Sequence, residues 1–243
     1  MNVTAQPPLE TLMVLLAEVS LEGSIQMTVG GLRRELDSEN ASMDLYIRDI
    51  EGTFLTLLRV DFIGLLEFSL DQEIFEDLNV AAAGHPLLWP YVERHGELYF
   101  YAPAKDPRLV IAALHEIHDR TVKNWFSLAR FTNDLLPLQN LLAASSGRLA
   151  GGPLPLIRVY EEVLREAELK CSVLESAKPR WPVPQHAAEG AGDPVALLMG
   201  TSYILARGLG KVQSLNAAGQ DMATRILDVI NPTGVDDSSA RPR

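Results

Sequence analysis

The sequence predicts an α+β protein in which an antiparallel sheet flanked by helices is followed by an all-α C-terminal region. From residue 42 the sequence shows the period of two expected of strands, and residues 62–70 form a third run that is rich in apolar residues on both faces. After residue 106 the apolar residues recur with the helical period. We therefore expect the order α-β-β-β-α-β-β-α over residues 1–135, a helical domain over residues 136–231 and a disordered tail over residues 232–243.

The first helix and the strands are predicted from periodicity and from the residues that end each run. A helix is expected over residues 8–21, because its apolar residues form one face and Pro8 suits the first turn. That face consists of Leu9, Leu12, Met13, Leu16 and Val19. The predicted strands are 24–29, 43–48, 54–60 and 62–70. The last three form an antiparallel meander, with a turn at Glu51-Gly52 and a break at Asp61.

Residues 71–102 are predicted to add a short helix and a hairpin. Asp71 is a suitable N-cap for a helix that carries Ile74, Phe75 and Leu78 on one face. A hairpin around His95-Gly96 then pairs residues 89–93 with the tyrosine-rich residues that follow it, up to residue 102.

The second half of the chain is predicted to be helical. Asp106 and Pro107 form a strong helix start, an N-cap followed by a proline, for a long helix that ends at Pro137. Glycines and prolines over residues 147–155 predict a loop. The remaining predicted helices are 156–177, 194–209 and 215–230, with an irregular connection over residues 178–193.

Negative charge is concentrated in the N-terminal part of the chain. Residues 1–100 contain 5 Lys and Arg against 17 Asp and Glu, a net charge of −12, whereas the remaining residues contain 16 against 15. A field of one sign selects and steers partners without performing chemistry. The distribution therefore favours a binding protein whose partners are basic.

The order of elements is similar to that of a known family. The residues that carry the likeness are the meander over residues 43–70, the Leu88-Trp89-Pro90 link, the hairpin over residues 91–101, and the helix after Asp106 with Trp125-Phe126 and Phe131. Over residues 1–135 the chain resembles the YbjN-like family and, in fold, the type III secretion chaperones. The resemblance implies a small acidic protein, often homodimeric, that binds other proteins and does not turn over substrates.

The motifs that could carry chemistry favour structural roles. His115-Glu116-Ile117-His118 is similar to a zinc-protease helix, but its histidines are only three residues apart and no third ligand follows, so we expect both at the surface or at its boundary. Cys171 lies in a predicted helix without an oxyanion context and is expected to be a packing residue. We predict no catalytic residue, no cofactor and no metal.

Five apolar residues form the candidate dimer or client interface: Phe75, Leu78, Trp125, Phe126 and Phe131. The first two share a face of the predicted short helix, and the three aromatic residues lie near the end of the predicted long helix. These aromatic side chains have two alternatives. They pack against the sheet of their own monomer, or they form a dimer interface, where aromatic residues are enriched at the buried centre.

The predicted function is that of a non-enzymatic chaperone-like or adaptor protein that binds client proteins through its acidic α+β domain, as a homodimer. The alternative is a nucleic-acid-associated accessory protein that uses the basic residues of the helical half: Lys123, Arg130, Arg158, Arg165, Lys170, Lys178 and Arg180. Interleaved acids dilute this patch, so direct nucleic-acid binding is not expected. An enzyme of unknown type is a third alternative. A single cysteine and the lack of a long apolar stretch predict a cytoplasmic protein without a membrane span.

Overall fold

Two antiparallel sheets form the framework of the chain. The computed structural model describes residues 8–20, 24–36, 38–71, 74–81, 84–123, 125–133, 135–179 and 193–215. The strands are β1 (Ile25–Arg34), β2 (Ala41–Asp49), β3 (Phe54–Ser69), β4 (Ile74–Phe75), β5 (Leu78–Ala81), β6 (His95–Phe100), β7 (Gly147–Pro153), β8 (Cys171–Glu175), β9 (Val195–Met199) and β10 (Ser202–Ser214). The helices are α1 (Pro8–Ser20), α2 (Trp89–Val92), α3 (Pro107–Val122), α4 (Leu138–Leu142) and α5 (Leu154–Glu166), with 3₁₀ turns at Pro86–Leu88 and Leu128–Arg130.

Sheet 1 has seven strands and is curled, so that one short segment of the chain pairs with both of its edges. Its strand order is β4-β1-β2-β3-β10-β9-β5. β4 pairs with β1 at one edge and β5 pairs with β9 at the other, yet only Glu76 and Asp77 separate β4 from β5. Residues 74–81 therefore pair with both edges of sheet 1, although β4 covers only Met27 and Thr28 of β1.

The first core fills the concave side of sheet 1. The N-terminal helix α1 packs there against β3 and β10, and its Leu12 and Leu16 are buried. This confirms the helix predicted from the apolar stripe, although Leu9 and Met13 of that stripe are exposed. The strands contribute alternate residues, as the period of two requires. Fully buried examples are Met43, Leu45, Ile47, Val60 and Met199.

The second core joins sheet 2, α3 and α5 to the outer face of sheet 1. Sheet 2 has three strands in the order β7-β6-β8. Leu98 and Phe100 of β6, Leu114 of α3 and Tyr160 of α5 are fully buried in this core, and Leu205 of β10 joins it from sheet 1. The packing of both layers into one core fixes sheet 2 relative to sheet 1.

The predicted hairpin between residues 43–48 and 54–60 is confirmed as β2 and β3, but the third predicted strand is wrong as a separate element. β3 runs through Asp61, and residues 62–69 pair with β10 instead of folding back on the preceding strand. Gly64, at φ +60°, lies in this second half of β3, where the pairing with β10 becomes irregular. A single polar residue such as Asp61 does not end a strand whose backbone is paired on both sides.

The predicted all-α C-terminal region is wrong. The helix predicted over residues 194–209 is the hairpin of β9 and β10, and the loop predicted over residues 147–155 is largely β7. β9 and β10 are apolar on both faces because one face packs on each core, and such runs do not reveal their period. The helix predicted over residues 215–230 and the tail over 232–243 lie outside the described residues, apart from residue 215.

Strand pairing also crosses the domain boundary predicted at residue 135. β10 pairs with β3, and β7 pairs with β6, so both sheets combine strands from the two halves of the chain. The predicted helix after Asp71 is wrong as well, because residues 74–75 and 78–81 are strands. The first strand of the second predicted hairpin is instead the helix α2.

The two predicted long helices are both shorter than expected. α3 begins as predicted, because the Asp106 carboxylate accepts hydrogen bonds from the N–H groups of Arg108 and Leu109, but it ends at Val122, where Lys123 adopts φ +53°. α5 ends at Glu166, and Glu168 follows at φ +56°. Residues 171–175, predicted to continue this helix, form β8 instead.

Candidate protein-binding site

β8 is an open edge of sheet 2. It pairs with β6 on one side, and within the described part of the chain no strand pairs with its other side. The backbone N–H of Tyr101 donates to the carbonyl of Lys170, and the N–H of Ser176 donates to that of His95, which fixes the hydrogen-bonding register. In an antiparallel ladder alternate residues bond to opposite sides. The N–H and C=O groups of Cys171, Val173 and Glu175 therefore point away from β6.

The solvent-facing side of this edge carries apolar and aromatic side chains. Leu174 is 63% exposed and Tyr101 is 50% exposed. The Tyr101 hydroxyl lies 2.6 Å from the hydroxyl of Ser172, which holds the ring beside β8. An extended segment laid along β8 would place every second side chain on this surface.

The other side of the edge meets a charged row on α5. Glu161 is buried and accepts hydrogen bonds from Arg158 at 2.6 Å and from Arg165 at 2.7 Å. Arg158 also bonds to Glu175, the last residue of β8. Side chains of a segment added to β8 would alternately face this row, so the two sides of the edge differ in polarity.

Cys171 lies on this edge and is not activated. Burial, and then the negative charge of Glu161, raise the pKa of its thiol, which therefore stays protonated at neutral pH. The thiol is 3.9 Å from the carbonyl oxygen of Glu161, within contact distance for a weak S–H donor. It occupies a strand, not the predicted helix.

The opposite edge of sheet 2 is covered. The N–H of Gly151 in β7 donates to the carbonyl of Phe131 at 2.7 Å, and the N–H of Asn133 donates to the carbonyl of Leu149 at 2.9 Å. Thr132 and Ala150 form a bridge between these bonds. Among the described strands of sheet 2, β8 is thus the one whose edge can accept a further strand.

Glu67, whose pKa is shifted furthest among the described carboxylates, has a structural role. Its Oε1 accepts hydrogen bonds from Arg130 at 2.7 Å and Tyr203 at 2.8 Å, and its Oε2 accepts from Arg130 at 2.9 Å and Tyr91 at 2.8 Å. Burial raises the pKa of Glu67, but the hydrogen bonds from Arg130 and the two tyrosines outweigh burial and lower the pKa to about 2. All lone pairs of the carboxylate are occupied, so Glu67 joins the two layers and is not placed to transfer protons.

The predicted surface histidine motif is separated by the fold. His115 is exposed, whereas His118 is buried in the second core. The His118 Nε2 lies 2.7 Å from the carbonyl of Phe126 and therefore donates to it, which leaves Nδ1 to accept from the Tyr160 hydroxyl at 2.6 Å. The described residues contain no group of three His, Cys, Asp or Glu side chains placed to hold a metal ion.

The five predicted interface residues lie in the two cores. Phe75 and Leu78 are buried in the first core, on strands and not on a helix. Phe126 and Phe131 are buried in the second core with their rings 5.7 Å apart, edge to face. Trp125 packs at the border of that core and contacts Tyr203 of sheet 1 edge to face at 5.9 Å. The aromatic cluster thus adopts the first alternative, packing against the sheet of its own monomer.

Sequence reasoning missed β8 because it extended the preceding helix to residue 177. A local signal was present: Cys171 and Val173 alternate with Ser172, which is a strand pattern, and Val is a poor helix former. The five-residue run is too short for that pattern to outweigh the apolar spacing of the helix before it. Whether β8 has a pairing strand on its outer side depends on segments that are distant in the chain, so no local sequence pattern predicts it.

Comparison with known proteins gives no relative. No family model matches the chain, and no curated protein or solved structure matches it. Membership of the YbjN-like family therefore stays a prediction, while the mostly β structure contradicts the fold class predicted from sequence. The helices of the described residues are too short or too polar to cross a membrane.

Proposed function

We propose that this protein is a non-enzymatic adaptor that binds an extended segment of a partner protein by strand addition to β8. One observation carries the proposal: the outward backbone groups of Cys171, Val173 and Glu175 have no pairing strand in the described part of the chain. Unpaired edges are a common docking surface, because the main-chain hydrogen bonds supply affinity and the flanking side chains supply specificity. The cytoplasm is the compartment we propose, since a lone cysteine suits a reducing environment.

The side chains around β8 suit a segment of alternating character. On one side Leu174 and Tyr101 offer an apolar surface beside the strand. On the other side Arg158 and Arg165 flank the buried carboxylate of Glu161. We expect the bound segment to alternate apolar side chains over Leu174 with polar side chains toward the ion-paired row on α5.

The acidic first half of the chain favours basic proteins as partners. Its net charge of −12 produces a long-range field that raises the encounter rate with a basic protein at low salt. This field acts on the whole partner, whereas β8 contacts only the docked segment. The predicted homodimer stays a prediction, and two copies joined through β8 would compete with the partner segment for the same edge.

The nucleic-acid alternative is disfavoured by the ion pairs of its basic residues. Arg130 is paired with Glu67, and Arg158 and Arg165 are paired with Glu161. A paired arginine contributes less to phosphate binding, because its own carboxylate must first be displaced. Arg180 lies outside the described residues.

A peptide selection on the purified protein tests the proposal. Peptides selected from a displayed random library are synthesised, and their dissociation constants are measured by fluorescence polarisation for wild type, Val173→Pro and Val173→Thr. Proline at residue 173 removes an outward N–H and obstructs an added strand, while the bonds from β8 to β6 are kept. We expect V173P to weaken binding by about tenfold or more, and V173T, which keeps the N–H, to bind like wild type.

Two further variants separate the edge from the rest of the surface. Leu174→Glu should also weaken binding, whereas Leu135→Glu, at a leucine that is 84% exposed elsewhere, should not. Thermal unfolding checks that each variant is folded. Selected peptides that bind V173P as tightly as wild type would show that β8 is not the docking site.

A further inference from the structure

Arg207 is a buried cation without a carboxylate partner in the described residues. It lies in β10, and only 6% of its surface is exposed. Its Nε atom is buried and makes no hydrogen bond. A buried charge without a partner destabilises the fold, so proteins normally pair such groups.

Two other arginines, one in sheet 1 and one beside it, are each paired with a carboxylate. Arg59 binds both carboxylate oxygens of Asp44, at 2.6 and 2.9 Å, and Arg130 binds both oxygens of Glu67. Both are less buried than Arg207. Arg48 of β2 also has a buried Nε without a hydrogen bond, but Arg48 is more exposed than Arg207. Arg207 is therefore the most buried arginine of the described residues, and they supply it no carboxylate.

The backbone around Arg207 leaves room for its side chain. Leu205 belongs to the second core and Ala206 to the first, so Arg207 points toward the second-core side of sheet 1 by strand alternation. On the neighbouring strand, a Cβ built on Gly64 would lie 2.6 Å from the Cδ of Arg207. Gly64 also adopts φ +60°, which glycine tolerates without strain. A residue with a side chain at position 64 would displace the arginine stem, so the glycine leaves the space that the stem occupies.

The surroundings favour a carboxylate over a phosphate. A guanidinium binds a carboxylate with two parallel hydrogen bonds, which satisfies a monoanion with one arginine. A phosphate dianion needs more donors than one guanidinium offers, and the two groups that bond to the N–H groups of Gly64 and Leu65, the Asn40 Oδ1 and the Glu39 carbonyl, do so as acceptors. The acidic first half of the chain also repels a dianion more strongly than a monoanion.

We propose that Arg207, with its stem seated against Gly64, anchors a binding site for a carboxylate group that the chain does not supply itself. The carboxylate belongs to a small carboxylic acid or to the C-terminus of a polypeptide. This site is separate from the β8 edge and does not depend on the function proposed above.

Thermal unfolding with defined probes tests the site. The melting temperatures of wild type, Arg207→Met and the exposed control Arg108→Met are compared in sodium chloride and in sodium propionate at equal ionic strength. A ligand that binds only the folded state raises the melting temperature with its concentration. We expect propionate to raise the melting temperatures of wild type and R108M but not the melting temperature of R207M. In chloride alone, R207M should melt at or above the wild-type temperature, because it removes an unpaired buried charge.

A second pair of probes identifies the source of the carboxylate. Acetyl-Ala-Ala with a free C-terminus is compared with its C-terminal amide, and stabilisation by the free acid that exceeds that by propionate assigns the site to a polypeptide end. Gly64→Ala keeps the charge but fills the space of the arginine stem, so it should reduce the propionate effect.

An R207M protein that melts below wild type in chloride, or fails to fold, would show that a carboxylate of the chain already pairs with Arg207 and would overturn the proposal. An equal propionate effect in wild type and R207M would overturn it as well.

Discussion

Glu67 shows how single residues hold the two layers of the molecule together. Glu67 projects from β3 of sheet 1. Its carboxylate accepts hydrogen bonds from Tyr91 of α2, from Arg130 of the 3₁₀ turn at Leu128–Arg130 and from Tyr203 of β10. Arg130 also lies 4.3 Å from the ring centre of Phe126, a cation–π contact that ties the cluster to the second core. The Tyr203 hydroxyl stays neutral, since burial and the nearby Glu67 carboxylate raise its pKa to about 12.

Replacing Glu67 with Gln should destabilise the protein in a pH-dependent manner. The folded pKa of Glu67, about 2, lies below its ordinary value of 4.5, so its carboxylate stabilises the fold above pH 4.5 and this contribution is lost as the pH falls through 2. At pH 7 we expect E67Q to lose about 3 kcal/mol in the free energy of unfolding, because Arg130 loses its partner. Between pH 7 and pH 3 the difference from wild type should shrink by about 2 kcal/mol.

Urea denaturation of both proteins at the two pH values measures this difference. A gap between wild type and E67Q that is the same at pH 3 and pH 7 would mean that the carboxylate is not held in its charged form by the cluster.

At the scale of elements, the segment of β4 and β5 closes sheet 1. Phe75 of β4 is 2% exposed, and its backbone pairs with Met27 of β1. Leu78 of β5 pairs with Met199 of β9 only three residues later. Both are candidate interface residues on one face of the helix predicted after Asp71, whereas the strands turn both into the first core.

Replacing Phe75 with Ala should therefore lower stability and not partner binding. Removal of a buried phenyl ring costs about 3–5 kcal/mol, because it leaves a cavity in the first core. Ile74→Ala in the same strand is the matched control, since Ile74 is 53% exposed and its truncation should cost less than about 1 kcal/mol. Urea denaturation measures both, and equal losses for the two variants would contradict the inward orientation of Phe75.

The elements that sequence could predict are those with a local signal. α1, the β2–β3 hairpin and the start of α3 show clear periods or a capping residue, and these predictions are confirmed. β9 and β10 are buried on both faces, so their apolar runs fit a helix as well as a strand. The β4–β5 segment and β8 are too short to show a period, and only pairing with β1, β9 and β6 makes them strands.

At the scale of the whole molecule, the two halves of the chain share both sheets. The charge division predicted from sequence persists, because most acids of residues 1–100 lie on sheet 1 and its loops, but it does not divide the molecule into an α+β and an all-α domain. Sheet 1 has its edges bridged, and sheet 2 has one edge covered by residues 131–133. Within the described residues of sheet 2, the capacity to add a strand is therefore concentrated at β8.

Residue-resolved hydrogen exchange along β8 tests strand addition most directly. In the free protein the amides of Ser172 and Leu174, which bond to β6, should exchange slowly, and that of Val173, which points outward, should exchange fast. With a saturating selected peptide, the Val173 amide should slow by about tenfold or more while Ser172 changes little. A Val173 amide that is already as protected as Ser172 in the free protein, or one that the bound peptide leaves unchanged, would contradict docking at this edge.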